Sequence, residues 1–174
     1  MKFRLILIIL MLYGCVGLCQ NVKPTVNQLT KLFKSSIDQE SKKKISVGSG
    51  AWTICNQDSA FFKTDTLRLY SNSNYFYQLS ECCDFIEWTF YKKNAFVQSK
   101  SQICKEPATS SAFVDYYQIS IFSEKQKTYL LVIKPRMSSE KFEVIEIGNI
   151  NLADNHSSIV ITLKRVASNP FFIR

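Results

Sequence analysis

A single histidine limits the chemistry open to this chain of 174 residues. His156 stands between Asp154 and Ser157 in a polar stretch, which supplies the residue types of a Ser-His-Asp relay. Such a relay needs three side chains that converge in space, and adjacency in sequence does not provide it. His156 is therefore read as a solvated loop residue. The acidic pairs Glu143 with Glu146 and Asp84 with Glu87 are oddly spaced, which on a regular strand sends each pair to opposite faces. No phosphate-binding loop, G-x-G-x-x-G or G-x-S-x-G run occurs. The expectation is a protein that is not an enzyme, with no catalytic residue and no cofactor.

Cysteine is the next chemistry-bearing type, with six copies. Cys15 and Cys19 fall at the end of an apolar N-terminal run, and Cys55, Cys82, Cys83 and Cys104 fall in the body of the chain. Tetrahedral zinc sites use spaced cysteine pairs or a Cys/His mixture, and adjacent cysteines rarely reach one ion together, so no metal is expected. An even number in an exported chain reads instead as two disulfides. Neighbouring residues on a strand point to opposite sides, and a Cys82–Cys83 bond would close a strained ring. Cys55 should then bond one of the two and Cys104 the other, with both pairings open.

The third informative set is aromatic: 13 Phe, eight Tyr and two Trp. Rings on nearly every candidate strand fill a small core, and an excess of them also suits an apolar pocket. Phe61 and Phe62 are candidates for an apolar lid, and Tyr77, Trp88 and Tyr117 for pocket walls.

The elements that must position these residues follow from periodicity. Val26, Leu29, Phe33 and Ile37 recur at spacings of three and four, and Thr25 with Gln28 forms a capping box, which predicts one amphipathic helix within residues 24–40 that docks on the main domain. From Ala51 the period changes to two. Candidate strands cover 51–56, 65–70, 74–80, 84–92, 95–100, 114–123, 128–134, 141–148 and 158–166, separated by short polar breaks. Many strands joined by short reversals predict an all-β fold, an antiparallel up-and-down barrel of about eight strands behind a short helix. Nine candidates in such a barrel require one to merge or to sit outside. Alternation of the turns between the two ends gathers all four body cysteines at one end.

At the N-terminus, Lys2 and Arg4 precede the apolar run 5–13, the order of a signal peptide. Cleavage after Cys19 would start the mature chain at Gln20 and place it in a secreted or periplasmic compartment. The alternative takes Leu12-Tyr13-Gly14-Cys15 as a lipoprotein box, with Cys15 acylated, an outer-membrane location, and peripheral membrane contact only in that case. Removing Lys2 and Arg4 from the 22 basic residues leaves 20 against 14 acidic ones, a charge of +6. That charge is dispersed apart from Lys42-Lys43-Lys44, which reads as a solvated surface rather than a nucleic-acid stripe. A monomer is expected. The divisions are a signal peptide over 1–19, helix and polar linker over 20–47, a barrel over 48–168 and a tail over 169–174.

Gly50-Ala51-Trp52 at the first strand and Leu163-Lys164-Arg165 near the end of the last make the region 48–166 resemble the lipocalin-like (calycin) family. The resemblance implies that Trp52 plugs the closed end of the barrel, with Arg165, or Lys164 in another register, lying against its indole. It also implies that the cysteine-bearing end, opposite Trp52, admits the ligand past loops 57–64, 81–84 and 102–113. Two functions are then weighed. The first is a secreted lipocalin-like protein that binds a small hydrophobic molecule in the barrel, and the second an envelope-associated structural or protein-interaction domain with a filled barrel and no small ligand. A cavity of about 300 Å³ or more separates them.

Overall fold

The computed structural model describes residues 23–37, 51–71, 82–104, 109–135, 139–151 and 157–166. Eight strands form a closed antiparallel barrel: β1 (Trp52–Cys55), β2 (Thr66–Tyr70), β3 (Asp84–Lys92), β4 (Ala95–Gln102), β5 (Thr109–Glu124), β6 (Lys127–Ile133), β7 (Ser139–Asn151) and β8 (Ser157–Val166). Helix α1 (Val26–Ser35) precedes them, and a 3-10 turn with the one-turn helix α2 (Ala60–Lys63) joins β1 to β2. These strands answer eight of the nine sequence candidates. The ninth, 74–80, lies outside the described residues, as do His156, Tyr77, Cys15 and Cys19.

One step departs from a simple meander. Around the barrel the order is β1-β2-β8-β7-β6-β5-β4-β3, so β1 lies between β2 and β3 and is antiparallel to both. β2 and β3 therefore run the same way and are not a hairpin. β8 pairs with β2 and not with β1, so β1 and β8 also run the same way.

Alternation fills the interior. Ile86, Trp88 and Phe90 on β3, Leu130 and Val132 on β6, Phe142 and Val144 on β7, and Ile161 and Leu163 on β8 are buried in one core. Rings run through it without a break. Tyr117 stacks on Phe96 (5.1 Å between centroids), Phe96 meets Phe90 (5.4 Å), Phe90 stacks on Phe33 of α1 (4.4 Å), and Phe33 meets Trp52 edge to face (5.5 Å). Ring pairs at such distances add to the burial of their area.

The helix closes one end. Thr25 caps it by accepting from the Gln28 amide, while the Gln28 side chain accepts from the Thr25 amide, so the expected capping box forms. Its buried side chains, Leu29 and Phe33, are one helical turn apart and enter the core. Thr128 donates to the Pro24 carbonyl (2.6 Å), and the Trp52 indole donates to the Ser36 hydroxyl (3.1 Å). These contacts fasten α1 across the end where β1 and β6 begin.

At that same end β5 and β6 turn through Lys125 and Gln126, both with positive φ (50° and 64°). This is the geometry that matches strand twist in a two-residue hairpin, here made without glycine. A bulge on β7 has a further effect. The register shifts between Val144 and Glu146, which places Glu143 and Glu146 on the same outer face. The opposite-face expectation for that pair is corrected, because one inserted residue reverses the alternation.

Candidate functional site

The four body cysteines meet at the end away from α1. Cys55 bonds Cys82 and Cys83 bonds Cys104, with Cα atoms 5.9 and 5.3 Å apart. This resolves the pairing that the sequence left open. Each bond ties neighbouring strands: Cys55 ends β1 beside the start of β3, and Cys104 follows β4 opposite the residue that precedes β3. The first bond is embedded in a small outer cluster with Tyr70, Phe85 and Val160. Two disulfides fit an oxidising compartment, extracellular or periplasmic.

Beside this stapled rim, α2 sets two rings. The Phe61 amide donates to the Asn56 side-chain oxygen (3.1 Å), which holds the turn in place. Phe61 is buried while its neighbour Phe62 is 54% exposed, and the two rings meet edge to face at 5.0 Å. Phe61, Phe62, Trp88 and Tyr117 all line one pocket, together with Gln98, Val132, Lys134, Glu140 and Phe142. Four of the five expected lid and wall residues are thus brought together. The fifth, Tyr77, lies outside the described residues.

The pocket is small, about 80 Å³, against roughly 300 Å³ at the lower end of ligand cavities. Its floor is the ring column, with Trp88 and Tyr117 on either side of Phe96 at 4.6 and 5.1 Å. The Trp88 indole N–H is satisfied by Gln98 (3.1 Å). Among the described residues the pocket falls short of a ligand-sized cavity, which counts against a molecule enclosed within the barrel, and it seats only the edge of one at the mouth.

Charged groups ring the opening, and periodicity alone did not single them out. Lys134 donates to Asp115 (2.6 Å) and lies over the Tyr117 ring (5.7 Å). Burial pushes the Tyr117 phenol above its usual value of 10.0, against the opposing pull of the Lys134 ammonium. The hydrogen bond from Lys134 to Asp115 raises the ammonium in turn.

Arg165 occupies the same end. It pairs with Glu140 (3.0 Å), donates to the Phe61 carbonyl (2.8 Å) and stacks over Phe142 and Phe61. The expected apposition of Arg165 and Trp52 is therefore corrected. Trp52 is 1% exposed and its indole donates to Ser36, just past α1, while Thr53 is level with Tyr70 and Tyr70 with Val160. Through β2, Trp52 is level with Ile159, not with Arg165, and the guanidinium lies over Phe61 and Phe142 while the indole meets Phe33 and Ser36. The cause is topological. A last strand that runs parallel to the first carries its C-terminal residues to the opposite end.

No family model, curated protein or solved structure matches this chain. Function must then be argued from the site. Among the described residues no cluster of three or more His, Cys, Asp or Glu side chains could hold a metal ion. No helix among them is long and apolar enough to cross a membrane.

Proposed function

We propose that this chain is an exported, lipocalin-like binding protein that holds a small apolar molecule at the disulfide-stapled mouth of its barrel. One observation carries the reading. Phe61, Phe62, Trp88 and Tyr117 come from three separate elements and line a single opening between the rim and the ring column. Aromatic walls with a few fixed polar groups are what small-molecule sites use. The basic and apolar N-terminus, followed by the two disulfides, supports export with removal of residues 1–19, or alternatively lipid attachment at Cys15.

Native mass spectrometry of freshly exported protein tests this reading. A bound small molecule that is lost on Phe62→Ala is the expected result. Apo protein throughout, with no small molecule taken up from an extract of the medium, would favour the second reading, a filled barrel that binds another protein. The observation behind that alternative is the unbroken column of rings from Tyr117 to Trp52, which occupies the space a lipocalin-like ligand would need.

A further inference from the structure

The charge pattern around the mouth narrows the ligand class, on the reading that the mouth is a binding site. Three of its rings already have a cation of the protein against them: Arg165 by Phe61 (5.9 Å), Lys100 by Phe62 (5.4 Å) and Lys134 by Tyr117 (5.7 Å). A fourth lining ring, Phe142, also carries Arg165 (5.3 Å). The attraction of an aromatic face for a cation is thus engaged at each of these rings, and a cationic ligand would meet three like charges.

Among the described residues, the acids paired with these bases are Asp115 and Glu140. Within this group of five, two carboxylates stand against Lys100, Lys134 and Arg165, an excess of one positive charge. The two ion pairs differ in how firmly they are built. Arg165 is fixed by Glu140, the Phe61 carbonyl and two rings. Asp115, in contrast, has a half-exposed side chain (49%) whose partner Lys134 also lines the pocket. An incoming carboxylate can replace Asp115 on Lys134 with little loss, because an exposed acid regains its hydration when released.

We propose that the mouth takes a planar aromatic acid, with its ring edge between Phe61, Phe62 and Tyr117 and its carboxylate on Lys134 in place of Asp115. The pocket of about 80 Å³ seats part of a ring, since a cavity of ~150 Å³ holds a benzene. The rest of the ring lies along Phe62, which is exposed and borders the opening.

Calorimetric titration of the full exported protein with three isosteric probes tests this: 1-naphthoate, 1-naphthalenemethanol and 1-naphthylmethylammonium. The acid should bind about tenfold more tightly than the alcohol, as a charge-assisted contact allows, and the amine most weakly. Lys134→Met should erase the preference for the acid over the alcohol, and Asp115→Asn should strengthen acid binding. Circular dichroism confirms that both variants are folded. If alcohol or amine binds at a Phe62-dependent site as tightly as the acid, the ligand class is wrong and the binding reading stands. If no probe binds, or binding is indifferent to Phe62→Ala, the aromatic-acid class fails, and native mass spectrometry of the exported protein decides the binding reading separately.

Discussion

Arg165 reaches across 104 positions of sequence to the Phe61 carbonyl, 2.8 Å from its Nη2, while its guanidinium also lies over the Phe61 ring. The last strand thereby holds the one-turn helix that forms one side of the mouth. With Glu140 on Nη1, the planar fork uses two edges at once, which an ammonium cannot reproduce.

Arg165→Lys should behave more like Arg165→Ala than like the parent. Both variants should lose roughly 1–3 kcal/mol of stability, from charge-assisted hydrogen bonds and ring contacts. Urea unfolding measures the loss. Full retention of stability by the Lys variant would show that the fork geometry is unimportant.

At the opposite end, Phe33 is fully buried between Phe90 and Trp52. Phe33→Ala should cost about 3–5 kcal/mol by lost transfer energy and the cavity left behind. Loosening of α1 should also expose the Trp52 indole and shift tryptophan emission to the red. A blue-shifted, unaltered spectrum in a destabilised variant would separate the two effects and argue against helix release.

The disulfides close loops with sequence separations of 27 and 21. Chain-entropy arguments give about 3–4 kcal/mol for each. Paired Cys55→Ser and Cys82→Ser changes, and separately Cys83→Ser and Cys104→Ser, should therefore destabilise the protein to similar degrees. Non-reducing peptide mapping should recover the 55–82 and 83–104 linkages. A 55–104 peptide would contradict the arrangement of β1, β3 and β4.

Alkaline pH should weaken the mouth. Tyr117 has a folded pKa above its ordinary 10.0 because burial disfavours the phenolate, so its contribution to stability is complete below pH 10 and is lost as pH rises through the folded value. Lys134, raised above 10.5 chiefly by its hydrogen bond to Asp115, changes in the same direction. Thermal unfolding followed from pH 8 upward should show a decline above about pH 10 that Tyr117→Phe reduces. An identical decline in that variant would place the sensitive group elsewhere.

Much of this architecture is legible in the chain. Leu29 and Phe33 announce the helix by spacing, and period-two alternation announces the strands. Cysteine parity brings the four body cysteines to one end. Phe61 and Phe62 are legible as lid candidates in the loop after β1, and Trp88 and Tyr117 as wall candidates on ring-rich strands, and one pocket brings these four together. Two features escaped for physical reasons. The insertion of β1 between β2 and β3 depends on which strand edges meet, and alternation along a strand carries no record of its neighbour. The parallel course of β1 and β8 then places Arg165 beside Phe61 rather than Trp52. Lys134 and Asp115 also escaped, since an ion pair between adjacent strands follows from register, with Tyr117 and Lys134 flanking the Gln118 and Ile133 pair.

The placement of β1 also decides where the cylinder is weakest. Among the described residues, one pair, Thr53 and Tyr70, is in register across the β1–β2 boundary, whereas five pairs join β2 to β8 and four join β1 to β3. The Cys55–Cys82 bond fastens β1 on its β3 side. Fluctuations should thus unzip a single seam, leaving β1 attached to β3 and β2 attached to β8. Hydrogen exchange reads this directly: the Tyr70 amide and its neighbours facing β1 should exchange well before those of β7 and β8. The wall would then open sideways along one line, as a hinged shutter does, with the rim still clasped.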